Sequence, residues 1–272
     1  MSKELSNVEK QETALASMDF GEHAGVGFEN VDSSHLSVPF LGVLQDLSPE
    51  VNKKRDEYVE GAEPGMMINT VTKEIMKSPV CIVPCATEHM FVEWTPRNKG
   101  GGLVASHEPG SAYVQEVRSL EGQKFGKLVT ADGNDLIETF YIYALLLSDS
   151  SSTTSTSPIV ISCSSTKIKE YKRLMTKLRT IKGRPPMYAF RIAVTTKDET
   201  NKSNQPYSNI SFAPAVNNSL AESANLPGTE FEGLLSEGQA LTKAFRTGTA
   251  KAAVETQQTG SSEDAEADEV FI

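Results

Sequence analysis

Basic residues are concentrated between Lys167 and Arg191, where they could bind an anion. This segment holds nine bases and one acid, Glu170, so its local net charge is +8 in a chain with a formal net charge of −10. Bases neutralise phosphates, and this attraction supplies most non-specific affinity for nucleic acid. We therefore expect an anionic partner, DNA or the chain's own acidic tail; a merely solvated helix face is the alternative. The bases are Lys167, Lys169, Lys172, Arg173, Lys177, Arg179, Lys182, Arg184 and Arg191.

An aromatic residue beside cations and glycines forms a second candidate site. Trp94 is followed by Arg97, Lys99 and the glycines 100–102. A Trp face can receive a base, cations can contact phosphates, and glycines let a backbone come close. The alternative is that Trp94 fills one end of the fold and that the glycines only make a turn. Further candidates for stacking are Tyr188 and Tyr207.

Motifs for catalysis or metal binding are weak in this sequence. The glycines 100–102 are not followed by the Gly-Lys-Ser/Thr of a phosphate-binding loop, and no Gly-x-Ser-x-Gly or His-Glu-x-x-His motif occurs. Cys81, Cys85 and His89 would share one face of a strand, but their apolar setting favours core residues over zinc ligands. The carboxylates of 132–138 lie in an ordinary turn sequence. We expect no enzyme activity, catalytic residue, metal or cofactor.

The elements that must position these residues are mostly strands. Short β-branched and aromatic runs bounded by Gly and Pro predict strands, and the apolar run 135–147 predicts a central strand covered on both faces. Apolar residues at three- and four-residue steps predict a helix within 164–183 and a weaker helix over about 231–250, interrupted by Gly238. The Ser/Thr tract 148–157 predicts a mobile loop.

This order of elements predicts a mainly β fold with inserted helices. Because no strand–helix–strand alternation is visible, we expect an OB-like antiparallel β-barrel with flexible N- and C-terminal arms. No segment approaches the roughly 20 apolar residues of a membrane span, and three cysteines indicate a reducing compartment. The expected organisation is a disordered N-terminal arm (1–30), an OB-like nucleic-acid-binding domain (31–225), a helix and linker (226–262) and an acidic tail (263–272).

The last ten residues combine acids with an apolar end. Five acids in seven positions cannot bury enough surface to fold, so this tail is expected to stay solvated. A solubilising tail would explain the acids but not the apolar end, which a partner's pocket could receive. The tail residues are Glu263, Asp264, Glu266, Asp268, Glu269, Val270, Phe271 and Ile272.

Two parts of the chain resemble known proteins. The tail resembles the acidic, aromatic-tipped tails of bacterial and phage single-stranded DNA-binding proteins, in which the tail recruits replication partners and competes with DNA. A second set of motifs is similar to a family of tailed-phage proteins that are often labelled single-stranded DNA-binding. The similarity covers about Leu41 to Phe212; it implies a phage origin and assigns no contact residues. Its motifs lie at 58–66, 69–72, 83–85, 91–97 and 100–102.

Together these features predict a phage single-stranded DNA-binding protein of the host cytoplasm that acts in DNA replication or recombination. The expected partners are single-stranded DNA and, through the tail, replication or recombination proteins; no membrane contact is expected, and a homo-oligomer stays open. The alternative is a phage virion structural or assembly protein, in which the glycine-rich loop, the serine tract and the arms are subunit contacts.

Overall fold

A computed structural model describes residues 37–123, 128–201, 204–248 and 251–252. These residues belong to one compact unit. The predicted N-terminal arm (1–30), most of the predicted linker and the acidic tail (263–272) lie outside the described residues.

The described chain is mainly β with three α-helices and antiparallel sheets, which confirms the predicted class. None of these helices has the length and apolar character that a bilayer crossing requires. The helices are α1 (Ala112–Ser119), α2 (Lys167–Arg179) and α3 (Glu232–Arg246). The strands are β1 (Ser37–Val38), β2 (Leu41–Val43), β3 (Met67–Asn69), β4 (Ile75–Met76), β5 (Val80–Trp94), β6 (Leu103–His107), β7 (Leu128–Val129), β8 (Asp135–Leu147), β9 (Ser157–Ser164), β10 (Ile192–Thr200), β11 (Pro206–Pro214) and β12 (Lys251–Ala252).

The main sheet is built on two long antiparallel strands, β5 and β8, which pair along nearly their whole length. At one end β10 and β11 continue the sheet beyond β5, and β9 pairs with β8. At the other end β6 pairs with β5 and β7 with β8. The apolar run 135–147 is therefore the central strand that its sequence predicted.

Helices cover both faces of this sheet. One face carries Ile142, Ala144 and Leu146 of β8, and α2 packs there through its own apolar side chains. The other face carries Leu145 and Leu147, which pack against α3. Because side chains alternate along a strand, an apolar residue at nearly every position of β8 requires cover on both sides.

A β-bulge between Pro84 and Ala86 interrupts the regular alternation of side chains between the two faces of β5. Cys81 and Cys85 lie in the cluster beneath α3, whereas His89 lies across from Phe140 on the opposite face. The prediction that these three residues share a face was wrong, because it assumed a regular strand. The described residues contain no group of His, Cys, Asp and Glu that could hold a metal ion.

The Ser/Thr tract between β8 and β9 is tied to the rest of the fold, contrary to the predicted mobile loop. The carbonyl oxygen of Ser150 accepts a hydrogen bond from Arg191, and Ser155 donates hydrogen bonds to Glu237 on α3. Asp149 accepts hydrogen bonds from the backbone and hydroxyl of Ser151. Composition alone gave no sign of these long-range partners.

Three further strands form a small separate sheet, in the order β2-β3-β4, and β1 pairs with β12. No strand pairing among the described residues closes the main sheet into a barrel. The predicted OB-like barrel therefore stays a prediction.

Gly238 of α3 lies very close to Tyr188 and Cys85. A Cβ atom added there would lie 2.5 Å from Cβ of Tyr188 and 3.5 Å from Sγ of Cys85. Ala is intrinsically better than Gly in a helix by about 1 kcal/mol, but this contact requires the backbone to shift. We expect Gly238→Ala to lower the free energy of unfolding by about 1–3 kcal/mol in urea titrations.

Gly233→Ala is the matched control, because the same change in the same helix meets only the carbonyl oxygen of Thr153 at 3.5 Å. It should leave stability unchanged or slightly raised. Equal unfolding midpoints for the two variants would contradict the close packing of α3.

Candidate nucleic-acid interface

Helix α2 is amphipathic, and its apolar side fixes the direction of its bases. Tyr171, Leu174 and Leu178 are buried at three- and four-residue steps against the sheet. With 3.6 residues per turn, most of the positions between these three point away from the sheet, except Met175, which also packs against the core. The helix was predicted within 164–183, and the structure confirms it over 167–179.

The bases on this outward side form one solvated surface, which we call the cationic face. All seven of its residues are exposed, whereas Lys167 is half-buried and engaged in a contact. Apart from Arg173, none of the seven has an ion-pair partner within the described chain. The cationic face consists of Lys169, Lys172, Arg173, Lys177 and Arg179 on α2, with Lys182 and Arg184 in the turn that follows.

The single acid of the segment, Glu170, is turned inward. It is buried, and its Oε1 accepts hydrogen bonds from Nη1 of Arg173 at 2.8 Å and from Nζ of Lys197 on β10 at 3.1 Å. The hydrogen bond from Lys197 to Glu199, with a further one to Glu170, raises the pKa of Lys197. Glu170 therefore pairs with Lys197 on the inner side and with one base of the cationic face, Arg173, and the other six bases are left without an acid of this helix beside them.

Arg191 was predicted to contact phosphate, but the structure places it in the interior. It is buried; its guanidinium donates to the carbonyl oxygens of Ser150 and Glu222 and lies 3.7 Å from the centre of the Phe231 ring. Burial lowers the pKa of its guanidinium. This correction reflects tertiary packing, since Arg191 anchors the serine-rich loop and the segment before α3.

Trp94 was predicted to be a partly exposed platform, and that prediction was wrong. The residue is only 5% exposed and packs in a core cluster with Phe40, Tyr141 and Tyr143. The alternative interpretation, that it fills one end of the fold, fits this burial.

The loop after Trp94 keeps some of its predicted features. Arg97 begins a short 3-10 turn that ends at Lys99, and Lys99 is exposed. Gly100, Gly101 and Gly102 all have positive φ, between 66° and 112°, which only glycine adopts readily. Lys99 therefore remains available to an anion, without an exposed Trp beside it.

The two tyrosines predicted to stack bases are used within the fold. Tyr188 lies in a 3-10 turn, half-buried against Gly238 and Cys85. Tyr207 on β11 donates its hydroxyl hydrogen to Glu199 at 2.8 Å. The predicted tail residues, 263–272, lie outside the described residues.

Sequence reasoning missed a row of stacked rings beside the cationic face. Tyr171 stacks on Phe140 with ring centres 4.6 Å apart, and Phe140 stacks on His89 at 4.2 Å. His89 and Phe140 are half-buried rather than buried. They lie directly opposite each other on β5 and β8, so only the strand register could have revealed the pair. We call Tyr171, Phe140 and His89 the ring row.

Glu93 organises a polar cluster at the end of the sheet near Trp94. Its Oε2 accepts hydrogen bonds from Nε2 of His107 and the hydroxyl of Tyr113, each at 3.0 Å, and its Oε1 accepts one from Asn134 at 2.7 Å. Burial opposes the negative charge, but the three hydrogen bonds outweigh it and hold the pKa of Glu93 below its usual 4.5.

We expect Glu93→Gln to lower the free energy of unfolding by about 1–3 kcal/mol at neutral pH, because charge-assisted hydrogen bonds are lost. Because the pKa of Glu93 is lower in the folded than in the unfolded protein, its carboxylate stabilises the fold fully at a pH above the unfolded pKa. This stabilisation is lost as the pH falls through the folded pKa. The gap between wild type and variant should therefore narrow below about pH 4.5 in urea titrations.

Glu116→Gln is the control for this effect, because Glu116 is exposed on α1. Its stability should follow wild type at every pH. A Glu93→Gln gap that stays constant down to acid unfolding would contradict the assigned role of the charge.

Comparison with known families places this protein. The model of the Pam3 phage gp34-like protein family matches residues 8–251, and the chain belongs to that family. The match supports the bacteriophage origin. No curated protein and no solved structure matches the chain.

Proposed function

We propose that this member of the Pam3 phage gp34-like family is a non-enzymatic protein that binds single-stranded DNA in the host cytoplasm during replication or recombination. The observation that carries the proposal is the cationic face of α2: seven exposed bases, with the one acid of the helix turned inward. Such a surface is unusual in a chain whose formal net charge is −10. Phosphate groups are anions that fit such a row of exposed bases, of which all but Arg173 have no ion-pair partner within the described chain.

An OB-like barrel is the fold that we propose for this activity. The order of elements along the chain supports this fold. Five antiparallel strands have a helix inserted before the fourth, in the order β5-β8-β9-α2-β10-β11. Strand β2 lies between the two edge strands β9 and β11. Just before β2, Phe40 forms a β-bridge with Val160 of β9, and just after it the Gln45 side chain hydrogen-bonds to the backbone of Ser208 on β11. Partly open barrels of this class bind oligonucleotides.

For the tail we propose the two roles that its sequence suggests: recruiting replication or recombination proteins through Val270–Ile272, and competing with DNA for the cationic face. Tethering on the same chain would keep these five acids at high effective concentration near any of its basic surfaces.

A structural or assembly protein of the virion is the second candidate. It is favoured by edge strand β6, where Leu103 and Val104 are 37% and 50% exposed. On the edge away from β5 this strand has no partner among the described residues. Exposed apolar edge strands are common sites of subunit pairing, so this surface also fits a homo-oligomer.

Neutralising the cationic face should weaken DNA binding and its dependence on salt. We expect Lys169→Gln/Lys172→Gln/Lys177→Gln to bind labelled oligo-dT about 10-fold more weakly at low salt. The slope of log K against log salt should fall by about 2, since each lost phosphate contact removes roughly 0.7. Fluorescence anisotropy across a salt series measures both quantities.

Lys53→Gln/Lys54→Gln/Arg55→Gln is the matched control, with the same change in charge at three exposed bases between β2 and β3. It should bind like wild type. If neither the full-length nor the tail-deleted protein binds oligo-dT at low salt, the proposal fails and the virion role gains support.

Deleting residues 263–272 should tighten oligo-dT binding at low salt, because the acids no longer compete with phosphates. The difference should fade as salt screens both interactions. Deleting only Val270–Ile272 should leave DNA affinity almost unchanged, since it removes no acid. Identical affinity of full-length and tail-deleted protein at low salt would rule out competition.

A further inference from the structure

The ring row runs across the sheet from helix α2 to strand β5. Tyr171 and Phe140 stack with an angle of 21° between their planes, and Phe140 and His89 with an angle of 13°. Three nearly parallel rings at centre distances of 4.6 and 4.2 Å form a continuous stack. A stack of this kind presents a flat aromatic surface at its end.

His89 is the end of this stack, at a gap in the sheet. On its edge away from β8, strand β5 pairs with β10 at Val80–Ile82 and with β6 at Phe91–Trp94. Between these two contacts, residues 83–90 have no strand partner on that edge within the described chain. His89 stacks on Phe140, it lies in the stretch of β5 that has no strand partner on the other edge, and its side chain is 34% exposed.

Neighbouring groups hold the imidazole in place and leave part of it open. Nε2 of His89 lies 2.9 Å from Oε1 of Glu138, the next residue on the same face of β8. Phe91, two residues along the strand, approaches the imidazole at 5.7 Å and is tilted by 44°. A ring fixed by a hydrogen bond and a stacked neighbour loses little freedom when another ring joins it.

Positive charge lies at both ends of this region. Tyr171, at the inner end of the row, directly precedes Lys172 of the cationic face in α2. Near the outer end, the guanidinium of Arg118 on α1 lies 4.9 Å from the centre of the Phe91 ring. Single strands bind where cations follow the backbone and an aromatic ring receives a base.

We propose that the open side of His89 is a base-stacking position for single-stranded DNA. The base continues the ring row, while phosphates on either side contact the cationic face and Arg118. This assignment rests on the proposed function. It replaces the predicted Trp94, Tyr188 and Tyr207 positions, whose rings are buried or engaged in the fold.

Substitution at His89 tests the assignment by oligo-dT anisotropy. His89→Ala should lose about 5- to 150-fold in affinity, the range expected for one stacked base, while the salt slope stays at the wild-type value. His89→Phe should retain most of the affinity, because it keeps an aromatic face. A loss that Phe does not rescue, or one that comes with a reduced salt slope, would overturn the stacking role.

A fluorescent reporter decides the question even if His89→Ala fails to fold. In the variant Trp94→Phe/His89→Trp the indole at position 89 is the only Trp, and saturating oligo-dT should quench its emission. In wild type, buried Trp94 should change little. Unchanged emission at position 89 while anisotropy shows bound DNA would overturn the stacking position.

The two proposals fail in different ways. If wild type binds oligo-dT with a steep salt dependence and His89→Ala binds equally well, the stacking position is wrong and the DNA-binding function stands. If wild type does not bind oligo-dT at low salt, with or without its tail, the function itself is wrong.

Discussion

The antiparallel pairing of β5 with β8 holds this fold together. It runs from Cys81–Leu147 to Trp94–Asp135 and places apolar side chains on both faces at once. Such a ribbon is stable only when both faces are covered, and α2 and α3 supply that cover from opposite sides. The same register places Phe140 beside His89, so the core pairing also creates the ring row.

Covering the sheet determines where the charge of α2 goes. Once Tyr171, Leu174 and Leu178 are buried, the opposite side of the helix must face solvent. Glu170 lies at the boundary, and Lys197 reaches it from β10 and neutralises it. A buried carboxylate without such partners would be costly, so this contact both stabilises the packing and leaves the outward field positive.

Local sequence patterns made α2 and β8 predictable. The apolar residues of α2 recur about every 3.6 residues, and those of β8 form an almost continuous run. The errors concern residues whose environment is set by distant parts of the chain. Trp94 is covered by Phe40 and by the tyrosines of β8, and Arg191 is held by a loop 41 residues away. A bulge at 84–86 places His89 and Cys85 on opposite faces of the sheet. No feature of the sequence indicated this bulge.

Lysine footprinting shows whether the cationic face of α2 contacts single-stranded DNA. The full-length protein is acetylated with and without saturating oligo-dT, and each lysine's reactivity is read by mass spectrometry. We expect DNA to protect Lys169, Lys172, Lys177 and Lys182 while Lys53 and Lys54 stay reactive. Equal reactivity at all of these lysines with DNA bound, or protection of Lys53 and Lys54 alone, would contradict this contact.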